Sequence, residues 1–164
     1  MAADASRLGI DVWESMLRVH AALVPVLAGE VEAQTRLPLS WYDVLFELNS
    51  TDGKRLRMQD LGDRVVLSRT RVSRIVDEMV EAGLVEKSPD PEDGRASLAI
   101  ITRNGRATLR RAAPVYLKAI DEHFTTHLQE RELQALRSGL QRILDSLTPK
   151  TTGSTNKEPR VLKR

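Results

Sequence analysis

The stretch LSRTRVSRIVDEMVEAGLVEKSPDPEDGRASLAIIT, from Leu67 to Thr102, decides how the rest of the chain is read. In its first half Val72, Ile75, Val76, Met79 and Val80 fall at i, i+3, i+4, i+7 and i+8, so one stripe of a helix is expected to be buried. Ser68 is the expected N-cap and Gly83 the C-terminal stop. LVEK at Leu84 to Lys87 and SLAII at Ser97 to Ile101 then read as two short strands. The segment SPDPEDGRA between them, with two prolines and the turn dipeptide Asp93-Gly94, makes a hairpin with a long tip. The helix has an awkward start: Arg69 and Arg71 sit in its first turn and Arg74 just beyond. Unpaired amides already make that end positive, so each such placement forfeits roughly 0.3 to 1 kcal/mol.

Turning about 100° per residue from Val72 points Thr70 and Arg74 away from the core, with Arg71 and Ser73 flanking them. Further along the outer face come Asp77, Glu78 and Glu81, which a phosphate backbone would repel. A helix so charged suits nucleic acid only if it enters by its N-terminal end. There the arginines gain charge-assisted hydrogen bonds to phosphate or bidentate contacts to guanine, and the dipole favours phosphate as well. The plainer reading pairs these arginines with surface carboxylates such as Asp60, Asp63, Asp77 or Glu78.

Working outward, Trp13, Met16, Leu17, Leu23, Val24, Leu27 and Val31 recur at helical spacing, marking one long amphipathic helix from Arg7 to about Glu32. Ser40, with Asp43 three residues on, looks like the cap of a second helix through Leu48. A short third helix covers about Met58 to Val65. Thr102 caps a further helix to about His127, in which Pro114 predicts a kink or local break. Leu133, Leu136, Leu140, Ile143 and Leu144 set the stripe of a last helix, Glu130 to Leu147. The fold class is therefore mainly α with a two-stranded β wing. Helix, short helix, tight turn, capped helix and hairpin form the layout of a winged helix-turn-helix unit.

The 164 residues suffice for one domain, or a small domain with a helical extension. The net charge of +2 conceals a gradient. Residues 1–53 hold 3 basic and 8 acidic groups, residues 54–111 hold 13 and 9, and residues 112–164 hold 9 and 6. The basic middle third contains the arginine-led helix and the hairpin. Two each of Trp, Tyr and Phe are too few for a surface that stacks single-stranded bases. Having no cysteine removes disulfides and thiolate metal sites. No apolar run approaches a membrane span and the first residues lack a signal-peptide layout, so a cytoplasmic protein without a membrane partner is expected. The segment from Thr148, TPKTTGSTNKEPRVLKR, reads as a disordered basic tail.

The stretch LSRTRVSRIVDEMVEAGLVEKSPDPEDGRASLAIITRNG is similar to the signature region of MarR-type transcriptional regulators, in which a Ser-capped recognition helix leads through a Gly-Leu-Val turn to a wing bearing Asp-x-Arg. Asp93-Gly94-Arg95 stands as that motif, and RLPLSWYDVLFEL and LRMQDLGDRV resemble the family's second and third helices. The resemblance covers about Arg7 to Leu147. It implies a homodimer holding two DNA-binding lobes over a pseudo-palindromic operator of double-stranded DNA, with recognition helices near 34 Å apart. It divides the chain into a helical dimerisation region at 1–36 and 103–147, a winged lobe at 37–102, and the tail at 148–164. By position, Ser68, Thr70, Arg71, Ser73 and Arg74 match the major-groove face, Arg95 the minor-groove arginine of the wing, and Asp93 the residue that orients it. Gly94 stands where many relatives carry a second basic residue.

The resemblance also implies a repressor released by a small, often aromatic or phenolic, effector. Trp13, His20, Trp41 and Tyr42 are the residues that would border such a pocket, although a buried, hydrogen-bonded structural histidine and core aromatics explain them as well. His123 and His127 lie one helical turn apart, a spacing able to chelate zinc, but Asp121, Glu122 and Glu130 fit a solvated helix end, so no metal is expected. No Gly-rich phosphate loop, HExxH run or G-x-S-x-G elbow is present, so neither a cofactor nor catalysis is expected. The rival reading is a winged helix used for protein interaction without sequence-specific DNA binding.

Overall fold

The computed structural model describes residues 2–65 and 69–147, without the side chains of residues 2–5 and 69. The elements run α1 (Ala2–Thr35), α2 (Leu39–Asn49), β1 (Arg55–Arg57), α3 (Met58–Arg64), α4 (Arg69–Glu81), β2 (Val85–Pro89), β3 (Ser97–Ile101), α5 (Arg103–His123), a 3-10 turn (Thr125–His127) and α6 (Glu130–Leu147). The described residues cluster as two compact units, one within residues 28–116 and one drawn from residues 2–27 and 117–147. No helix among the described residues is long and apolar enough to cross a membrane.

The first unit is a winged helix-turn-helix lobe. Its core joins Tyr42, Val44, Leu45 and Leu48 of α2 to Leu61 of α3, Val72, Val76 and Met79 of α4, and Ala99 and Ile101 of β3, all at most 2% exposed. The expected stripe of α4 is thus buried except Val80, which sits at its edge with 37% exposure. A Schellman arrangement ends α4: Gly83 adopts φ +69°, its N–H donates to Val80 O at 3.0 Å, and Leu84 N–H donates to Met79 O at 2.9 Å. Only a residue tolerant of positive φ turns the chain so sharply into β2.

The wing has a third strand that was not expected. β1, the three residues Arg-Leu-Arg, pairs antiparallel with β3 so that Arg57 lies opposite Leu98, giving the order β1-β3-β2. Leu56 faces inward while its neighbours are exposed, the alternation of a half-buried strand. On the other side of β3, Val85 faces Ile101 and Pro89 faces Ser97.

Several expected boundaries move. α2 starts at Leu39 with Pro38 as N-cap and no side-chain cap, in place of Ser40. The extended Pro38 presents its carbonyl to the N–H groups of Trp41 and Tyr42 at 2.9 and 3.1 Å, which does the work a side-chain cap would. Thr102 does cap α5, its Oγ1 accepting from Gly105 N–H at 2.9 Å. That helix continues through Pro114 without a break and ends at His123 rather than His127. The expected caps and tail at Ser68 and 148–164 lie outside the described residues.

In the second unit, α1 and α6 present apolar rows to the surface. Leu8, Val12, Trp13, Leu17, Ile143, Leu144 and Leu147 are each at least half exposed, and no residue of α6 is buried. An apolar groove lined by Val12, Leu128, Ala135, Leu136, Leu140 and Ile143 runs between the two helices.

Candidate nucleic-acid interface

Burial of Val72, Ile75 and Val76 fixes which side of α4 faces outward, and Thr70, Arg71, Ser73 and Arg74 stand exposed on that side. The Arg74 side chain is 84% exposed and its Nε lies 3.4 Å from Glu78 Oε1. Pairing with a surface carboxylate is therefore real for Arg74. Such an i,i+4 pair is worth only about 0.3 to 0.5 kcal/mol in water, so a phosphate or a guanine edge competes with it readily. One step further along α4, Asp77 accepts an ion pair from Lys87 of β2, which neutralises an acid of the trailing half and ties the helix to the wing.

The wing loop is built from carboxylates accepting backbone N–H groups. Asp93 Oδ1 accepts from Arg95 N–H at 3.0 Å and Asp93 O from Ala96 N–H at 2.8 Å, an Asx-type turn that leaves the Arg95 side chain exposed at the tip. At the base, Asp90 N–H donates to Ala96 O at 3.0 Å. The Asp90 carboxylate, though its residue is only 5% exposed, accepts from Glu92 N–H at 2.9 Å and from Arg57 Nε at 2.5 Å. Those contacts hold its carboxyl below the usual carboxylate range, the Glu92 N–H chief among them and outweighing burial, which acts the other way. Arg57 also lies 3.5 Å from Glu92. Neither Arg57 nor Asp90 stood out in the sequence, because they are 33 residues apart and neither repeats a pattern.

The residues expected around an effector divide between the units. Tyr42 and Trp41 belong to the lobe; Trp13 and His20 belong to the helical unit. His20 is exposed, not the buried histidine anticipated, since nothing among the described residues covers that face of α1. Trp13 is likewise 55% exposed rather than core. Tyr42 is core: its ring stacks on Phe46 at 6.4 Å and meets Tyr116 edge-on at 4.9 Å between centroids. Its hydroxyl is buried with no hydrogen-bond partner among the described residues, and burial, then Tyr116 and Asp43, push its pKa up to about 12. The spacing of His123 and His127 is not carried by one helix, because α5 stops at His123 and His127 falls in the 3-10 turn.

Residues 37–96, the lobe from α2 to the wing tip, match the model of the MarR family. A MarR family transcriptional regulator from Streptomyces coelicolor, solved in complex with DNA, superposes with a TM-score of 0.77 at 27% identity, covering 85% of this chain and 90% of that one. The chain resembles MarR family transcriptional regulators, by its winged lobe and over most of its length. AbsC, a second MarR family regulator from the same organism, gives a TM-score of 0.75 at 29% identity over 83% of this chain and 91% of its own. Among curated sequences, the HTH-type transcriptional regulator MhqR of Bacillus subtilis is 28% identical over 86 residues, which is 52% of this chain and 59% of that protein. An uncharacterised protein of Mycobacterium tuberculosis is 25% identical over 149 residues, spanning 90% of this chain and 96% of its own length. The MarR family proteins that it resembles are transcriptional regulators.

Proposed function

We propose that this regulator is a cytoplasmic homodimer that represses transcription by occupying a pseudo-palindromic operator, and that a small effector releases it. The observation that carries the reading is the outward face of α4, where Thr70, Arg71, Ser73 and Arg74 are all exposed on the same lobe as the exposed Arg95. The first four suit the major groove, Arg95 suits the minor groove, and Asp93 holds the tip that presents it. The Streptomyces relative solved with DNA supports a duplex as the partner. Dimerisation is supported by the apolar rows of α1 and α6, because monomers seldom expose contiguous apolar surface of that extent. A second copy covering those rows gives α1 and α6 a partner that the described residues of one chain do not supply.

The effector is supported by Tyr42, whose buried hydroxyl has no hydrogen-bond partner among the described residues. A small aromatic or phenolic molecule accepting that hydrogen bond would relieve the cost. The test is a mobility-shift assay on DNA upstream of the coding region, repeated across salt concentrations, with and without phenolic ligands. Competition-resistant, salt-sensitive binding that Thr70→Ala and Arg71→Ala weaken supports the reading. Absence of any preferred DNA supports a winged helix used for protein interaction instead.

A further inference from the structure

The turn at Asp93 shapes the tip of the wing, but it is local and does not say where the wing points. Direction is set at the base, and the base holds one buried carboxylate, Asp90. A carboxylate this far from water is tolerated only when its lone pairs are filled, and its second oxygen is filled by Arg57. That arginine comes from β1, on the far side of β3 from the strand that leads into the wing. The pair therefore straddles the mouth of the hairpin, tying the third strand to the loop it does not pair with.

We propose that Arg57 and Asp90 form a clasp that fixes the direction of the wing, which makes Arg57 a positioning residue for Arg95 rather than a cation that touches DNA. The inference rests on the DNA-binding reading above. Its physical content is that the side chain of Arg57 is engaged: Nε donates to Asp90 at 2.5 Å, and one of the two terminal nitrogens lies 3.5 Å from Glu92. Only 43% of that side chain is exposed, about half the exposure of Arg74.

Two explanations for any effect of Arg57 differ in sign at Asp90. If Arg57 were a phosphate contact, Asp90→Asn would free a cation and remove an anion, so DNA binding would tighten. If the clasp positions the wing, Asp90→Asn weakens binding by roughly tenfold, as Arg57→Ala does, and the losses overlap with that of Arg95→Ala because all three act through one contact. The experiment is fluorescence anisotropy on an operator duplex with the three single variants and the Asp90→Asn/Arg95→Ala double variant, together with amide hydrogen exchange of the free protein. Exchange at Glu92, Arg95 and Ala96 should quicken at least tenfold in both clasp variants while the α4 amides stay unchanged. Tighter or unchanged binding by Asp90→Asn, or fully additive losses with Arg95→Ala, overturns the proposal. If the wild type binds no DNA, the functional reading fails by itself, and the exchange rates of the wing still decide whether the clasp holds it.

Discussion

Replacing Gly105 by alanine should unfold the lobe more readily, although the same change usually stabilises a helix. An added Cβ would lie 2.2 Å from the Leu84 carbonyl oxygen, 2.9 Å from Ile101 Cγ1 and 3.1 Å from Leu45 Cδ2. Carbon and oxygen settle no closer than about 3.3 Å, so the carbonyl or the helix must retreat by about 1 Å. Overpacking of that kind costs about 1 to 3 kcal/mol. The carbonyl is not free to move, because it accepts from Thr102 N–H at 3.0 Å and from Thr102 Oγ1 at 3.1 Å. Weakening either bond adds about 1 kcal/mol, while the gain in helix propensity returns about 1 kcal/mol. The net loss is about 1 to 3 kcal/mol, or roughly 2 to 12 °C in Tm for a chain of this size. Gly29→Ala supplies the contrast: its Cβ meets nothing within 4 Å, so only the propensity gain remains. Thermal unfolding followed by circular dichroism should show Gly105→Ala melting lower and Gly29→Ala no lower than the wild type. Equal melting of all three proteins would refute the packing argument.

Four further substitutions test other parts of the account. Arg74→Ala should relax sequence preference, whereas Arg95→Ala should lower affinity for all sequences through its lost minor-groove contact; selection from randomised DNA distinguishes them, and equal loss everywhere for both contradicts the assignment. Tyr42→Phe removes a buried hydroxyl with no partner among the described residues, so chemical denaturation at pH 7 should find the variant at least as stable. Because folding raises the Tyr42 pKa to about 12, its contribution is complete below the unfolded value of about 10 and is lost as pH rises toward 12; the variant should lose less stability over that window, and parallel curves would contradict this. Arg64→Ala strands Glu47, a carboxylate 4% exposed whose oxygen lies 4.0 Å from the guanidinium, and with Arg64 itself partly solvated the expected cost is about 1 to 2 kcal/mol by urea unfolding. A loss below a few tenths would mean that water already serves Glu47.

What was legible in the sequence followed from repetition and from residues with special backbone geometry. The stripe from Val72 to Met79 repeats at helical spacing, and Gly83 takes the positive φ that its position demands. β1 escapes a reading of the sequence because three residues are too few to show a period. The start of α2 was misplaced because Ser40 and Asp43 offer a side-chain cap, while the chain uses the carbonyl of Pro38. The break expected at Pro114 is overridden by burial of Ala112, Ala113 and Ala119 around it, which holds the helix across the missing hydrogen bond. The α4 face and the wing tip are local features and could be read directly. The clasp of Arg57 and Asp90 is a contact between distant segments, and nothing in a single sequence selects that pair from many possible ones. His20 and Trp13 are exposed for a related reason: their apolar row is legible in the sequence, but nothing among the described residues covers it.

The claim that most depends on direct measurement is that two copies read one duplex. Hydroxyl-radical footprinting of the purified protein on its preferred upstream DNA tests it in one experiment. The account predicts two protected half-sites related by approximate two-fold symmetry, centred about 34 Å apart. It also predicts minor-groove protection that disappears in Arg95→Ala. A single unsymmetrical footprint, or none that survives competitor DNA, would contradict it.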